Sequence, residues 1–198
     1  MVAQIKVEYP KINYTREEYL ELSEEADLRN EYIDGKIKPM TGGTLNHNDI
    51  AGNCYTFLKL ALRGKDYKVF MTDLRLYIPQ HNVYTYPDIM VIKAKPVLQD
   101  NRNDTVTNPL LIIEILSKST KNYDQGDKFD YYRSIRGFAE YILVDQYSYH
   151  VKQFAKAYND RRWLSEYQQE NDILKFASLD FDIELTSIYE EIEFNQVT

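Results

Sequence analysis

The stretch Leu-Leu-Ile-Ile-Glu-Ile-Leu at residues 110–116 constrains this chain more than any other. Apolar side chains on consecutive positions mean that both faces of the strand are buried, as in the middle of a sheet covered on each side. Glu114 interrupts that run. An ionised carboxylate in such a place must be paired or bound to a cation, because burial alone favours its neutral form. Two readings of Glu114 follow: a buried ion pair with a distant lysine or arginine, or a ligand to a metal ion.

The rest of the chain supplies cover for such a strand. Thr15 with Glu18 three residues later forms a capping-box pattern and opens a helix carrying Tyr19, Leu20 and Leu22. Asp34-Gly35 lies between short β-prone runs and predicts a hairpin. Ile50, Cys54, Phe57, Leu58 and Ala61 recur at helical spacing, with Gly64 as a stop. Strands are predicted over 68–72, 74–79, 86–92, 110–116, 140–144, 150–156 and 162–167, and a helix over 121–136 ahead of Gly137. No repeat, low-complexity tract or Ser/Gly/Pro linker divides the chain, so residues 1–198 read as one α/β domain around a mixed sheet.

Asp88 stands at the head of Ile89-Met90-Val91-Ile92, just after Pro87. Alone it reads as an ordinary strand-start aspartate. Together with Glu114, 26 positions later, it supplies two carboxylates on neighbouring buried strands. That is the oxygen donor set an Mg²⁺ or Mn²⁺ site needs. Such an ion polarises a scissile phosphate and lowers the pKa of a bound water.

At these residues the chain resembles a known family. YPDIMVI, followed by NPLLIIEILSKSTKNYDQGDKFDYYR, resembles the PD-(D/E)xK nuclease superfamily. More closely, it resembles the Uma-two family, whose members are read as restriction endonucleases. The likeness extends from NEYIDGKI through GGTLNHNDIAGN to EYILVD. It implies a restriction-endonuclease-like fold, a mixed sheet flanked by helices with additional antiparallel strands. It also implies Mg²⁺-dependent cleavage of DNA, with Asp88 and Glu114 as metal ligands. The acid of the E-x-x-x-G segment, Glu31 here, is expected near the metal, its other reading being a polar residue on a hairpin face. His47 matches a family histidine and is a candidate substrate contact, or else a cap or packing residue. The homodimer common among nucleases of this fold is the expected assembly.

One departure from the standard motif matters. The lysine two residues after the glutamate is replaced by Leu116, which can neither orient a water nor neutralise charge on a phosphate. The family pattern D-x-x-x-K-x-x-x-Y is matched by Asp124, Lys128 and Tyr132, so Lys128 is the expected replacement, with Tyr132 beside the substrate. Lys118 and Lys121 are nearer in sequence but fall in the connecting loop. The other reading of Lys128 is a solvated helix lysine.

Composition limits the alternatives. Cys54 is the single cysteine, which removes disulfides and cysteine-based zinc sites. His81 and His150 have no metal-ligand partner at short spacing. GxGxxG, GxxxxGK[ST] and GxSxG are all absent, so nucleotide cofactors, P-loop ATPases and α/β-hydrolases lack their signatures. No apolar run approaches a membrane span and the N-terminus has no apolar signal core, so a cytoplasmic protein without membrane contact is expected. The net charge of −7 is concentrated at the ends, whereas residues 35–158 carry 17 basic against 12 acidic side chains. That middle could hold phosphates weakly, or it could be a solvated surface. The 18 tyrosines suit strands, interfaces or base stacking. The reading favoured by these residues is an Mg²⁺- or Mn²⁺-dependent endonuclease acting on DNA. A nuclease-fold protein that binds nucleic acid or a partner without cutting, and a purely structural subunit, are the alternatives.

Overall fold

The computed structural model describes residues 11–40, 42–100, 102–118, 120–157 and 161–194. Helix α1, Arg16–Glu25, begins where the capping box predicts. The Thr15 hydroxyl accepts from the Glu18 N–H, and the Glu18 carboxylate accepts from the Thr15 N–H. Strands β1, Asn30–Ile33, and β2, Lys36–Pro39, form the expected hairpin. Its turn residues Asp34 and Gly35 have φ of 43° and 95°, the left-handed backbone that tight hairpin turns demand. Helix α2, Leu45–Ala61, is capped by Thr44 and starts a full turn before the apolar pattern shows it.

Strands β3 (Tyr67–Met71), β4 (Arg75–Ile78), β5 (Val83–Thr85) and β6 (Ile89–Lys93) follow. After β7 (Thr105–Val106) comes the apolar strand β8, Leu111–Leu116, buried at all six positions. Two short helices, α3 (Lys121–Gln125) and α4 (Asp127–Arg133), lead to β9 (Glu140–Asp145), β10 (Val151–Lys156) and β11 (Arg162–Tyr167). The described chain closes with β12 (Ile173–Lys175), β13 (Asp182–Glu184) and α5 (Leu185–Ile188).

The strands form a six-stranded sheet in the order β11-β10-β9-β8-β6-β3, a five-stranded sheet β2-β1-β5-β4-β7, and the pair β12-β13. In the large sheet β8 runs parallel to β9 and antiparallel to β6, which makes the sheet mixed. Alternation along β8 feeds two cores. Leu111, Ile113 and Ile115 pack with Ile50, Cys54 and Leu58 of α2 and with Leu185 and Ile188 of α5. Ile112 and Leu116 pack with Leu76, Ile78 and Val83 of the smaller sheet and with Tyr132 of α4. Burying each such leucine or isoleucine contributes about 1.5–3 kcal/mol. Alternation therefore puts Glu114 on the second of these faces, between Ile112 and Leu116.

Three expectations are corrected. The strand predicted over 86–92 starts late, since β6 begins only at Ile89 in the large sheet, and Val83–Thr85, outside the predicted span, forms β5 of the small one. Pro87, without an N–H for a ladder, sits in the crossing. The helix predicted over 121–136 is two pieces, because Gly126 has φ −109° and ψ −96°, outside the helical region. The segment β12-β13-α5 carries no pattern that predicts it, yet it covers the first core.

Many of the tyrosines are core residues. Tyr14, Tyr19, Tyr32, Tyr77 and Tyr84 form a third buried cluster, with the Tyr77 and Tyr84 rings stacked 4.3 Å apart. The buried Arg75 lies among Tyr19, Tyr84 and Tyr86 and donates to the Tyr86 hydroxyl at 2.8 Å.

Candidate active site

The antiparallel register of β6 and β8 sets Ile89 opposite Ile113. One step further along the same register, Asp88 falls opposite Glu114. Side chain and backbone lock this pairing. The Ile115 N–H donates to Asp88 Oδ2 at 2.8 Å, and the Asp88 N–H reaches Glu114 Oε2 at 3.4 Å. The break between β5 and β6 thus has a use: the Asp88 carbonyl still accepts from the Thr72 N–H at 3.0 Å, but its N–H leaves the ladder for Glu114 and its carboxylate turns toward β8.

Charged partners converge on the pair from both layers. Lys128 Nζ donates to Glu114 Oε1 at 2.9 Å, and the Tyr132 hydroxyl donates to the same oxygen at 2.7 Å. Lys128 Nζ is also 3.3 Å from Asp124 Oδ1 and 3.8 Å from Glu31 Oε1. Helical spacing explains why Lys128 and Tyr132 arrive together, four residues apart on α4. Asp124 keeps the same spacing to Lys128 across the break at Gly126. Glu31 comes from β1 of the small sheet, where it accepts from the Thr85 hydroxyl and lies 3.8 Å from Lys38 Nζ. His47, in the first turn of α2, places Nε2 3.3 Å from Asp88 Oδ2. Gly43 makes room for that ring, since a Cβ at residue 43 would fall 2.7 Å from His47 Nδ1.

Three carboxylates therefore gather around one buried ammonium, and a fourth, Asp88, stands beside Glu114 on His47. Burial pushes the Glu114 carboxyl up to about 8, and the neighbouring charges of Asp88 and Asp124 add to it while Lys128 opposes. Burial also works against a charged Lys128. Glu114, Glu31 and Asp124 outweigh it and hold the ammonium well above its ordinary range. These two shifts are compatible, because one cation surrounded by several anions stays charged while the anions remain under-compensated. Asp88 behaves differently. Burial raises its carboxyl, but the hydrogen bond from His47 and the Ile115 N–H prevail and hold it below the ordinary carboxylate range. His47 shows the reciprocal effect, with burial outweighed by Asp88.

The cluster opens into a cleft of about 570 Å³, whose lining includes Asp88, Glu114, Asp124, Lys128 and His47. Among the described residues, no three His, Cys, Asp or Glu side chains form a ready-made metal cage. Two oxygens are nevertheless available. Asp88 Oδ1 accepts no hydrogen bond among the described residues, and Glu114 Oε2 accepts only the long one from Asp88 N–H. Two carboxylates with water or phosphate completing the shell suit Mg²⁺ or Mn²⁺, which retain several waters when bound. The residues present fit such an ion.

Of the residues singled out in the sequence, Asp88, Glu114, Lys128, Glu31, His47 and Tyr132 all meet in this one cluster. Two meet it differently from expectation. Tyr132 is fully buried and spends its hydroxyl on Glu114, so it orients the glutamate instead of facing the cleft. Glu31 lies outside the cleft lining and reaches the group through Lys128. Lys128 is buried among three carboxylates, so the reading of a solvated helix lysine is set aside. Lys121 instead pairs with Asp145 at 3.2 Å, and Lys118 sits over the Tyr147 ring. In the sequence Asp124 is only one member of a spacing pattern. Its position four residues before Lys128 was the available signal for its role as an ion-pair partner.

The sequence profile of the Uma2 family, described as "Putative restriction endonuclease", matches residues 16–187. The chain belongs to the Uma2 family. Two relatives come from Synechocystis sp. (strain ATCC 27184 / PCC 6803 / Kazusa). "Uncharacterized protein sll1609" is 40% identical over 82% of this chain and 92% of its own length. "Uncharacterized protein slr1290" is 33% identical over 94% of this chain and 95% of its own. Among solved structures, one titled "a putative nuclease belonging to DUF820" from Anabaena variabilis ATCC 29413 superposes with a TM-score of 0.70. It covers 87% of this chain and 96% of that one at 18% identity, a likeness of fold. The mixed sheet with flanking helices and added antiparallel strands is thus the nuclease-like fold that the Uma2 resemblance implies. Among the described residues, no helix is long and apolar enough to cross a membrane.

Proposed function

We propose that this Uma2 protein is a metal-dependent endonuclease that hydrolyses DNA phosphodiester bonds. In this reading Asp88 and Glu114 hold Mg²⁺ or Mn²⁺, and Lys128 replaces the lysine that Leu116 displaces. The observation that carries the reading is the charge imbalance at the foot of the cleft. Glu114, Asp124 and Glu31 converge on Lys128, with Lys38 meeting Glu31 from outside and His47 meeting Asp88, and Asp88 Oδ1 and Glu114 Oε2 keep capacity for a further cation.

When bound, the divalent ion supplies Lewis acidity toward a phosphate oxygen and acidifies a water. The chain's own groups prepare the site. His47 and the Ile115 N–H keep Asp88 ionised and fix its direction. Tyr132 and Lys128 both engage Oε1 of Glu114, which leaves Oε2 as the oxygen with spare coordinating capacity. Lys128 holds a permanent positive charge beside the place where negative charge would build on the phosphate, and it needs no reorganisation to do so. Glu31 and Asp124 act on the reaction through Lys128, by holding it protonated and in place. His47, lining the cleft, is the candidate to meet the substrate. The basic middle of the chain supports the choice of DNA, and a cytoplasmic homodimer offering two clefts is the assembly proposed.

A second reading, a nuclease fold that binds DNA without cutting it, draws on one observation: Lys128 is fully engaged by carboxylates and has no strand-borne counterpart at Leu116. Plasmid nicking separates the two. Purified protein should nick supercoiled DNA with Mg²⁺ or Mn²⁺, stop when EDTA is added, and lose activity in Asp88→Asn. Nicking that survives that substitution would remove the proposed site, and metal-independent binding without nicking would favour the second reading.

A further inference from the structure

We infer that Tyr147, with Lys118 beside it, is a stacking platform for an unpaired base, so that the cleft takes single-stranded or locally opened DNA in preference to intact duplex. The inference rests on the reading of the cleft as a DNA site and adds the form of the substrate. Tyr147 lines the cleft and is 45% exposed, whereas five other tyrosines fill a buried cluster. An aromatic ring left in solvent at the edge of a polar cleft has no packing reason to be there. The backbone that carries the ring is not loosely held. The Tyr147 N–H donates to Asp145 Oδ1 at 2.8 Å, and the preceding Gln146 is buried. Gln146 donates to the Leu116 carbonyl at 2.9 Å and meets the Thr44 hydroxyl, so the turn is tied both to the end of β8 and to the cap of α2. A ring on a fixed backbone, with only two side-chain torsions, loses little freedom when a base lies on it. Lys118 Nζ, 5.4 Å from the ring centroid and in the same lining, offers the positive charge that the attached phosphate needs.

Depth points the same way. Glu114 is 3% exposed and the Asp88 side chain 16%, so a phosphate must descend into the cleft to reach the carboxylate pair. Duplex DNA is stiff over about 150 base pairs and carries its phosphates on a fixed outer surface. A single strand can bend its backbone inward while a base turns out onto an aromatic ring, which is how sequence-tolerant single-strand sites work.

The test is fluorescence anisotropy with the full-length chain in EDTA, using a labelled 20-nucleotide single strand and the same sequence as a duplex. The single strand is expected to bind about tenfold more tightly. Tyr147→Ala should weaken single-strand binding about five- to a hundredfold, the range for losing one base–aromatic stack. It should leave duplex binding unchanged, and Tyr147→Phe should restore the preference. Tyr147 is exposed and its turn is held by the Asp145 and Gln146 side chains, not by its own ring, so a thermal melt should show the variants folded. Equal or tighter duplex binding, no binding of either DNA, or a Tyr147→Ala variant with unaltered single-strand affinity would each overturn the inference. Single-strand preference in a protein that nicks nothing would leave this inference standing and remove the nuclease reading. Plasmid nicking without strand preference would do the reverse.

Discussion

Lys128→Met probes the whole cluster with one substitution. Methionine keeps most of the volume and apolar stem of lysine but removes the ammonium that is 2.9 Å from Glu114, 3.3 Å from Asp124 and 3.8 Å from Glu31. The side chain is 7% exposed, so water cannot replace the lost charge. Removing one partner of a buried ionic group costs about 3–5 kcal/mol. For a chain of this size that corresponds to a fall in Tm of about 6–20 °C. The pH dependence has a definite sign. The Lys128 pKa is raised, so its own contribution is fully present at every pH below the ordinary lysine range. The cost of the variant comes from acid left without its cation, and because the Glu114 carboxyl is pushed up to about 8, that cost shrinks as pH falls below about 8 and the group takes up its proton. Calorimetry of both proteins at pH 8 and pH 5 measures this directly, with nicking assays at the same pH values. A Tm difference below about 2 °C at pH 8 would mean that Lys128 is solvated. An equal loss at both pH values would mean that packing, not charge, is what the substitution removes.

Three further outcomes test separate parts of the structure. Because the Glu114 carboxyl is pushed up to about 8 and a ligand must be deprotonated, Mg²⁺ uptake at pH 7 should release a proton. Affinity should then climb as pH rises toward 8 and flatten beyond it; titration calorimetry in buffers of different ionisation enthalpy reads the proton, and a heat independent of buffer would contradict the assignment. Gly43→Ala should push the His47 ring off Asp88, because the new Cβ would lie 2.7 Å from Nδ1; the expected result is metal binding weakened several-fold with less than about 1 kcal/mol lost in stability, and unchanged metal affinity would show that the His47–Asp88 contact is dispensable. Glu140→Ala should cost about 3–5 kcal/mol in urea unfolding, since the buried carboxylate accepts from Gln153, the Ala177 N–H, and both the N–H and hydroxyl of Ser178; a loss under 1 kcal/mol would mean the C-terminal segment is not anchored there.

How far the sequence reveals this site depends on the kind of signal each residue leaves. Glu114 was legible because one charged residue violates an otherwise apolar strand, and that violation is local. Asp88 was legible as a candidate only. Its pairing depends on the antiparallel register of β6 and β8, which no pattern within either strand specifies. The crossing at Tyr86-Pro87-Asp88 is not legible because Tyr86 is as β-prone as Ile89–Lys93, and where the chain passes from one sheet to the other is a tertiary decision. The split at Gly126 was missed because the apolar spacing of Phe129, Tyr132 and Ile135 continues the helical pattern on the far side. Gln146 and Gly43 carry no chemical signature at all. Their roles exist only through the Leu116 carbonyl and the His47 ring that the fold brings to them.

The displaced lysine follows from the same packing. Leu116 stands on the Glu114 face of β8 and is buried in the core that joins the two sheets through Ile112, Tyr132 and Leu143. A lysine there would place its stem in that core and strip the contacts that seal the foot of the cleft. What the proposed mechanism asks for is an ammonium at Glu114, and its backbone origin is immaterial if the side chain can span the gap. Helix α4 meets that need from the other layer, and it brings Tyr132 to the same oxygen. Asp124 reaches the same ammonium from α3. The strand is then free to be apolar on both sides of its one carboxylate. The same exchange explains why Lys128 is surrounded by acid. A helix-borne lysine enters a dry interface from outside the strand, and Glu31 and Asp124 compensate the desolvation that burial imposes on it.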